Sequence, residues 1–238
     1  MFNKGVELLS LCNEKNKKIY EIVLEKEQNS SNLKIDDIRE KMKHTLDVMK
    51  ESATAALNKE IISVSGMTGG ESKKVENYRK ENKTLSGIFI NSAMAKALST
   101  SEVNASMGKI VAAPTAGASG ILPSAILSAQ EKLDLTDEDL VNGLFTAAGI
   151  GEIVAKNATV SGAEGGCQAE CGVAAAMAAG SIVEMAGGAP KQALDAASFA
   201  LINILGLVCD PIGGLVEYPC ALRKQWQVSS HLYLLMKL

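Results

Sequence analysis

The sequence is poor in aromatic residues, in histidine and in the paired cysteines of small metal sites. Phe, Trp and Tyr make up 4% of the 238 residues, and His occurs twice. No C-x-x-C occurs among the five cysteines, which excludes ferredoxin and zinc-finger spacings. The formal net charge is −3 and no stripe of Lys and Arg alternates with aromatic residues. The composition therefore argues against nucleic-acid binding.

Long apolar runs and a secretion signal are also missing. Apolar stretches without charge, such as 172–183 and 196–209, are shorter than the roughly 20 apolar residues of a membrane-spanning helix. The first residues lack the basic and apolar regions of a signal peptide. We therefore predict a cytoplasmic protein without membrane contact. An odd number of cysteines in such a protein favours thiols or metal ligands over disulfides.

Charge is concentrated at the start of the chain. The first 83 residues hold 30 of the 51 charged residues. Within them, Ile38, Met42, Leu46 and Met49 recur at helical spacing and predict an amphipathic helix over 36–57. A second helix is predicted over 6–27. We interpret residues 1–58 as a charged N-terminal helical arm that packs on the rest, and assign no binding function to its charges.

From residue 85 onward the chain is rich in Ala, Gly and Ser, a composition that lets helices approach closely. Helix boundaries are indicated by Pro123 in a first turn, by Thr136 and Asp139 as a capping box, and by Pro190 as a helix start. The helices are predicted to cover 136–157, about 167–188 and 190–208. The sequence predicts an all-α fold, a compact bundle of small-residue-rich helices whose Gly-rich turns form the site, in a domain over 59–223.

Two Gly-rich turns carry hydroxyl groups and backbone N–H groups that suit a carboxylate or a phosphate. The candidate binding residues are Ser65, Thr68, Gly69 and Gly70 in the first turn, and Thr115, Gly117, Ser119 and Gly120 in the second. The second turn precedes a helix whose N-terminal dipole also favours an anion. An ordinary turn is the alternative for each. Neither turn matches a nucleotide-binding motif.

Three cysteines, Cys167, Cys209 and Cys220, lie in glycine- or proline-rich surroundings. Three thiolates can hold an iron–sulfur cubane and leave one iron open as a Lewis acid. The alternative is that each is a small buried apolar side chain. Cys171, one helical turn after Cys167, is a possible fourth ligand, but we favour a packing role for it.

Four segments carry a resemblance to a known family: 65–70 (SGMTGG), 114–120 (PTAGASG), 161–170 (SGAEGGCQAE) and 206–220 (GLVCDPIGGLVEYPC). In this order they resemble the alpha chains of the bacterial iron–sulfur L-serine dehydratases, over about 59–223. The resemblance implies a [4Fe-4S] cluster on Cys167, Cys209 and Cys220, and leaves out Cys12 and Cys171. It also implies L-serine as substrate, with release of pyruvate and ammonia, and a separate beta chain as partner. An oligomer of that heterodimer is a further possibility.

The general base of such a reaction is not assigned by the sequence. Both histidines, His44 and His231, are expected on a solvated face or in the tail. Lys109 and Lys156 are isolated charges in a poorly charged region, and either needs a pKa lowered by burial to act as a base. In families with two chains the base can also lie in the beta chain.

The segment 224–238 departs from the family pattern. We interpret it as an atypical tail of a truncated or frame-shifted chain, with a genuine short terminal helix as the alternative. Three other functions remain open: a related lyase that acts on cysteine, a pyridoxal phosphate dehydratase, and an inactive alpha chain that only binds a partner. No lysine in a recognisable Schiff-base setting supports the second of these.

Overall fold

The computed structural model of the chain describes residues 2–81 and 84–204. Within these ranges the backbone forms ten α-helices and a short 3₁₀ turn, and no strand. The helices are α1 Gly5–Lys15, α2 Ile19–Ser31, α3 Ile35–Thr54, α4 Glu71–Lys80, α5 Gly87–Ala105, α6 Ile121–Leu133, α7 Asp137–Asn157, α8 Gly162–Gly165, α9 Cys167–Met185 and α10 Pro190–Ile204, and the 3₁₀ turn is Ala116–Ala118. The predicted all-α fold is confirmed.

The helix boundaries in the second half of the chain follow the predicted signals. Pro123 lies in the first turn of α6. The capping box at the start of α7 is present: the Asp139 N–H donates to Thr136 Oγ1 at 3.2 Å, and the Thr136 N–H donates to Asp139 Oδ2 at 2.8 Å. Pro190 begins α10, whose predicted last residues, 205–208, lie outside the described part of the chain.

The predicted helix over 6–27 is wrong, because two helices occupy that range. Asn16 ends α1 in the left-handed conformation, with φ of 52°, and the Lys17 N–H donates to the Cys12 carbonyl at 2.9 Å. Asparagine tolerates this conformation better than most residues, so the chain turns there before α2 begins. The helix predicted over 36–57 is present as α3 and ends three residues earlier, at Thr54.

The N-terminal helices contribute to the core rather than only lying on it. Leu8, Ile19 and Leu46 have no exposed surface, and they belong to one apolar cluster with residues of α6, α7 and α9. These helices therefore pack on the rest of the chain through a shared core. None of the helices in the described ranges is long and apolar enough to cross a bilayer.

Helix α9 lies at the centre of the bundle and packs against α6, α7 and α10. Its small residues allow close approach: a Cβ at Gly180 would lie 3.0 Å from the carbonyl oxygen of Ala193 in α10. This close packing is what the Ala- and Gly-rich composition predicts. Since α9 begins at Cys167, the first of the three predicted cluster ligands lies at the exposed start of this central helix.

A buried carboxylate near the end of α9 connects three helices. Glu184 is 4% exposed and accepts hydrogen bonds from the backbone N–H groups of Ile19 at 2.8 Å and Tyr20 at 3.1 Å. The hydroxyl of Thr146 in α7 donates to the same carboxylate. The local Glu21 side chain accepts from the Lys18 N–H at 2.8 Å, and the next two N–H groups are those that reach Glu184. Glu184 therefore supplies the acceptor that the first N–H groups of α2 need.

Candidate functional site

Cys167 is the first residue of α9 and its side chain is exposed. Gly166 precedes it with φ of 74°, a conformation that glycine adopts without strain, so the chain can turn sharply into the helix. The N-terminal end of a helix favours negative charge in a group bound there. The position of Cys167 thus suits a metal ligand. Cys209 and Cys220, the other two predicted ligands, lie outside the described residues.

The two cysteines that were not assigned to the cluster have different surroundings. Cys12 is buried in the core, where burial and the nearby carboxylate of Glu184 raise its pKa to about 11. At neutral pH it is a thiol that packs among apolar side chains. Cys171 is half-buried on α9, and burial raises the pKa of its thiol, as does the neighbouring Cys167.

Glu170 joins the second Gly-rich turn to the first turn of α9. The hydroxyl of Thr115 donates a hydrogen bond to Glu170 Oε1 at 2.8 Å. The other oxygen, Oε2, lies 3.0 Å from where a Cβ on Gly117 would be, and 2.6 Å from a Cβ position on Gly162. Two of the four segments that carry the family resemblance thus meet here: Thr115 and Gly117 come from one, and Gly162 and Glu170 come from the other.

The second turn is only partly available to a ligand. Thr115 is half-buried and Gly117 is exposed. Ser119 is buried, and its hydroxyl donates to the Ala116 carbonyl at 2.7 Å. Gly120 packs on α5, where a Cβ would lie 2.6 Å from the carbonyl oxygen of Ala97. Ser119 and Gly120 stabilise the turn and the helix contact, and Thr115 and Gly117 are the more accessible members of the predicted binding set.

The first turn lies beside the second, at the end of α5. The Val64 N–H donates to the Ala105 carbonyl at 3.0 Å, and the Asn104 side chain donates to the Ala116 carbonyl at 3.4 Å. The two predicted turns therefore lie on either side of residues 104–105. Ser65 and Thr68 are exposed residues at this end of the bundle, and the Ser65 hydroxyl also lies 3.2 Å from the Ser63 hydroxyl.

The glycine N–H groups of the first turn already have acceptors within the protein. The Gly69 N–H donates to Glu71 Oε2 at 2.7 Å, and the Ser72 N–H at the start of α4 donates to Glu102 Oε1 at 2.8 Å. Gly70, the N-cap residue of α4, is buried with φ of 85°. The substrate contacts at Gly69 and Gly70 stay a prediction; in the structure these glycines allow the backbone to turn, and the carboxyl groups of Glu71 and Glu102 accept the N–H groups of Gly69 and Ser72.

Glu102 is a buried acid at this helix end. It is 4% exposed, and its Oε2 atom has no hydrogen-bond partner among the described residues. Burial raises the pKa of Glu102 above its ordinary value, and the adjacent Glu71 raises it further. The pKa of Glu71 is lowered, chiefly by its own N–H and that of Gly69. The pair thus favours a protonated Glu102 beside an ionised Glu71.

We expect this buried acid to make folding less favourable as pH rises. A raised pKa means that the folded chain keeps a proton that the unfolded chain has already lost. The contribution of Glu102 to the free energy of unfolding is therefore complete below pH 4.5, the ordinary pKa of a glutamate, and is lost as the pH rises through the raised pKa. Glu102→Gln keeps an acceptor for Ser72 and has no proton to lose. Urea unfolding from pH 4.5 into the neutral range should show the variant gaining stability relative to the parent as pH rises. Parallel pH profiles for the two chains would contradict the assignment.

The lysine candidates for the general base lack the surroundings that a base needs. Lys156 forms an ion pair with Glu152 at 2.6 Å and donates to Asn3 Oδ1 at 3.0 Å. The hydrogen bond to Glu152 raises the pKa of Lys156, the opposite of the shift that a lysine base requires. Lys109 is exposed, and His44 lies exposed on α3. His231 and the segment 224–238 are outside the described residues.

Glu170 was not predicted as a site residue, although it lies in one of the segments that carry the family resemblance. The available signal was its position three residues after Cys167, which places both residues on neighbouring positions of one helix face. Nothing in the sequence shows that this face meets Thr115. That contact depends on how α9 packs against the 3₁₀ turn.

Comparison with known proteins gives a consistent result. A family model described as serine dehydratase alpha chain matches residues 14–233. The L-serine dehydratase alpha chain of Peptoniphilus asaccharolyticus is 51% identical over 223 residues, which cover 94% of this chain and 76% of the relative. The probable L-serine dehydratase alpha chain of Bacillus subtilis is 44% identical over 230 residues, 97% of this chain and 76% of the relative.

A third relative is a longer protein. The L-serine dehydratase of Streptomyces coelicolor is 36% identical over 222 residues, which cover 92% of this chain and 48% of the relative. Nearly the whole of this chain is thus matched both by separate alpha chains and by a longer protein. The chain belongs to the serine dehydratase alpha chain family.

Proposed function

We propose that this chain is the alpha chain of an L-serine ammonia-lyase, which converts L-serine to pyruvate and ammonia. The observation that carries the proposal is the 51% identity to an L-serine dehydratase alpha chain over 94% of the sequence. The convergence of Thr115, Gly117 and Glu170 one helical turn from Cys167 supports it, because it offers polar groups for a small substrate beside an exposed thiol.

We further propose that Cys167, Cys209 and Cys220 hold a [4Fe-4S] cluster. The donor that the structure describes fits this role, since Cys167 is exposed, is not in a disulfide and starts a helix. When bound, a cluster with three thiolate ligands supplies an open iron that acts as a Lewis acid on the substrate hydroxyl.

The end of α10 supports the same grouping. A Cβ at Gly172, in the second turn of α9, would lie 3.2 Å from Ile204 Cγ2. The end of α10 thus lies close to the end of α9 that carries Cys167. Cys209 follows Ile204 by five residues, a length that spans at most about 18 Å. That length permits Cys209 to share a site with Cys167.

The residues of this chain act in binding and orientation. The exposed hydroxyls of Ser65 and Thr68 and the side chain of Thr115 offer hydrogen bonds to a small polar substrate. Loss of the substrate's α-proton and hydroxyl gives aminoacrylate, which hydrolyses to pyruvate and ammonia. Because the pKa of Lys156 is raised and Lys109 is exposed, we place the general base in a beta chain, which the word alpha in the names of the relatives implies. We propose that the two chains assemble in the cytoplasm.

Pyruvate release from L-serine tests this proposal. We expect the anaerobically prepared, iron-loaded chain to be nearly inactive alone and at least about a hundredfold faster with its beta chain, because a positioned base contributes about 10²–10⁴ in rate. D-serine serves as the control substrate, and L-cysteine is assayed for sulfide release. A complex that releases sulfide from cysteine and no pyruvate from serine would establish the cysteine lyase instead.

A further inference from the structure

The second Gly-rich turn, which contains Thr115, does not have the anion preference that its sequence suggests. Hydroxyl and glycine N–H groups before a helix predict a site for an anion. In the structure, the carboxylate of Glu170 lies against this turn and binds the Thr115 hydroxyl at 2.8 Å. A second carboxylate, from a substrate, would face like charge here, which is unfavourable in a partly buried site. The turn therefore suits a cation better than an anion.

The hydrogen bond also fixes what Thr115 can offer to a ligand. Its proton is donated to Glu170 Oε1, so its remaining capacity is to accept hydrogen bonds. Glu170 itself is an acceptor through both oxygens when ionised. None of the ion pairs in the described ranges involves Glu170. The pair thus presents acceptors and negative charge, which complement a cation that carries N–H donors.

Two glycines allow the Glu170 carboxylate to lie directly against the backbone of the neighbouring segments. A Cβ on Gly117 would lie 3.0 Å from this oxygen, and one on Gly162 would lie 2.6 Å from it. Gly117 is exposed, so a small ligand can approach from solvent. Neither glycine has a positive φ, so their role here is space rather than backbone conformation.

The position of Glu170 relative to Cys167 restricts the kind of cation. The two residues are three apart on α9, so their Cβ atoms are about 5–6 Å apart on one helix face. In a β-hydroxy amino acid, the ammonium and the hydroxyl are carried by adjacent carbon atoms. We propose that Glu170, oriented by Thr115, binds the α-ammonium group of the amino-acid substrate. This assignment deepens the proposed function and depends on it for the identity of the substrate.

Binding of two unreactive ligands tests the assignment without turnover. L-alanine and L-lactate differ only in an α-ammonium against an α-hydroxyl, and neither has a leaving group. Titration calorimetry on the complex of the full chain with its beta chain, loaded with iron under anaerobic conditions, should show tighter binding of L-alanine. In Glu170→Gln we expect the affinity for L-alanine to fall about tenfold to a hundredfold, the effect of a hydrogen bond to a charged group, with a much smaller change for L-lactate.

Two further variants act on the same carboxylate without removing it. Gly162→Ala places a methyl group against Oε2 and should weaken L-alanine binding by displacing Glu170. Thr115→Val removes the orienting hydroxyl and should have a smaller effect in the same direction. Gly5→Ala is the matched control, since nothing lies within 4 Å of its Cβ position, and it should bind both ligands like the parent. If Glu170→Gln does not fold, as judged by circular dichroism, these variants still decide the question.

Equal losses of L-alanine and L-lactate affinity in Glu170→Gln, or an unchanged preference for L-alanine, would overturn the assignment. A large fall in kcat for L-serine with unchanged KM and unchanged L-alanine affinity would also overturn it, because Glu170 would then act on the proton rather than on the ammonium. The two proposals fail separately. A complex that binds L-alanine through Glu170 but releases no pyruvate from L-serine contradicts only the proposed function.

Discussion

Replacement of Cys167, Cys209 or Cys220 by serine is expected to remove nearly all iron and acid-labile sulfide from the anaerobically purified protein. A cluster with three protein ligands loses a third of its thiolates in each variant, and serine is a poor substitute for a soft thiolate ligand. Cys167 is the member whose place is described, at the exposed start of α9. Iron and sulfide per chain, together with the visible absorbance of the sample, measure the loss.

The remaining cysteines provide matched controls. Cys12→Ala should keep its iron, because Cys12 is buried in the core and its pKa is raised to about 11, so it is neither accessible nor ionised. Cys171→Ala should also keep its iron if the residue only packs, as its half-buried position suggests. A full complement of iron in Cys209→Ser would contradict the proposed set of three ligands. Loss of iron in Cys171→Ala would show that Cys171 is a ligand in place of one of the three.

Much of the fold was predictable because its signals are local. The capping box at Thr136, the proline at 190 and the small-residue composition are short-range patterns, and each corresponds to a helix end or a helix contact in the structure. The break at Asn16 was missed because asparagine is also compatible with a helix interior. Its left-handed conformation depends on the packing of α1 and α2 on either side of it.

The binding turns were harder to predict, because a turn's ligand depends on groups far away in sequence. The N–H groups near Gly69 suit an anion, as the sequence indicates, but in the structure the carboxyl groups of Glu71 and Glu102 accept the hydrogen bonds of Gly69 and Ser72. The charge beside Thr115 is set by Glu170, which is 55 residues away. Turn chemistry identifies what a segment can bind, and only the tertiary contacts identify what it does bind.

Removal of the buried carboxylate Glu184 is expected to be the most damaging single change to stability in the described part of the chain. Glu184→Ala leaves the N–H groups of Ile19 and Tyr20 and the hydroxyl of Thr146 without their acceptor, in a site that is 4% exposed. Loss of a partner for buried donors costs about 1–3 kcal/mol per group, and loss of hydrogen bonds to a charge lies at the upper end. We expect the free energy of unfolding to fall by about 3–5 kcal/mol, a large part of a typical 5–15 kcal/mol.

A cavity of about 140 Å³ beside Glu184, lined in part by Lys18 and Asn142, bears on the size of this effect. Water that enters it can replace some of the lost acceptors, which would bring the cost toward the lower end of the range. Glu184→Gln, which keeps one acceptor but turns an NH₂ group toward a donor, should lie between the parent and Glu184→Ala. Urea unfolding at fixed pH measures all three chains.

The matched control for Glu184 is a surface carboxylate of a helix. Asp195 in α10 forms an ion pair with Lys191 at 2.7 Å, four residues away, and 47% of its side chain is exposed. Such pairs contribute about 0.3–0.5 kcal/mol, so Asp195→Ala should change the free energy of unfolding by no more than that. If Glu184→Ala cost as little as Asp195→Ala, the first turn of α2 would not depend on α9 for its capping. The interaction of α2 with α9 would then depend on apolar packing alone.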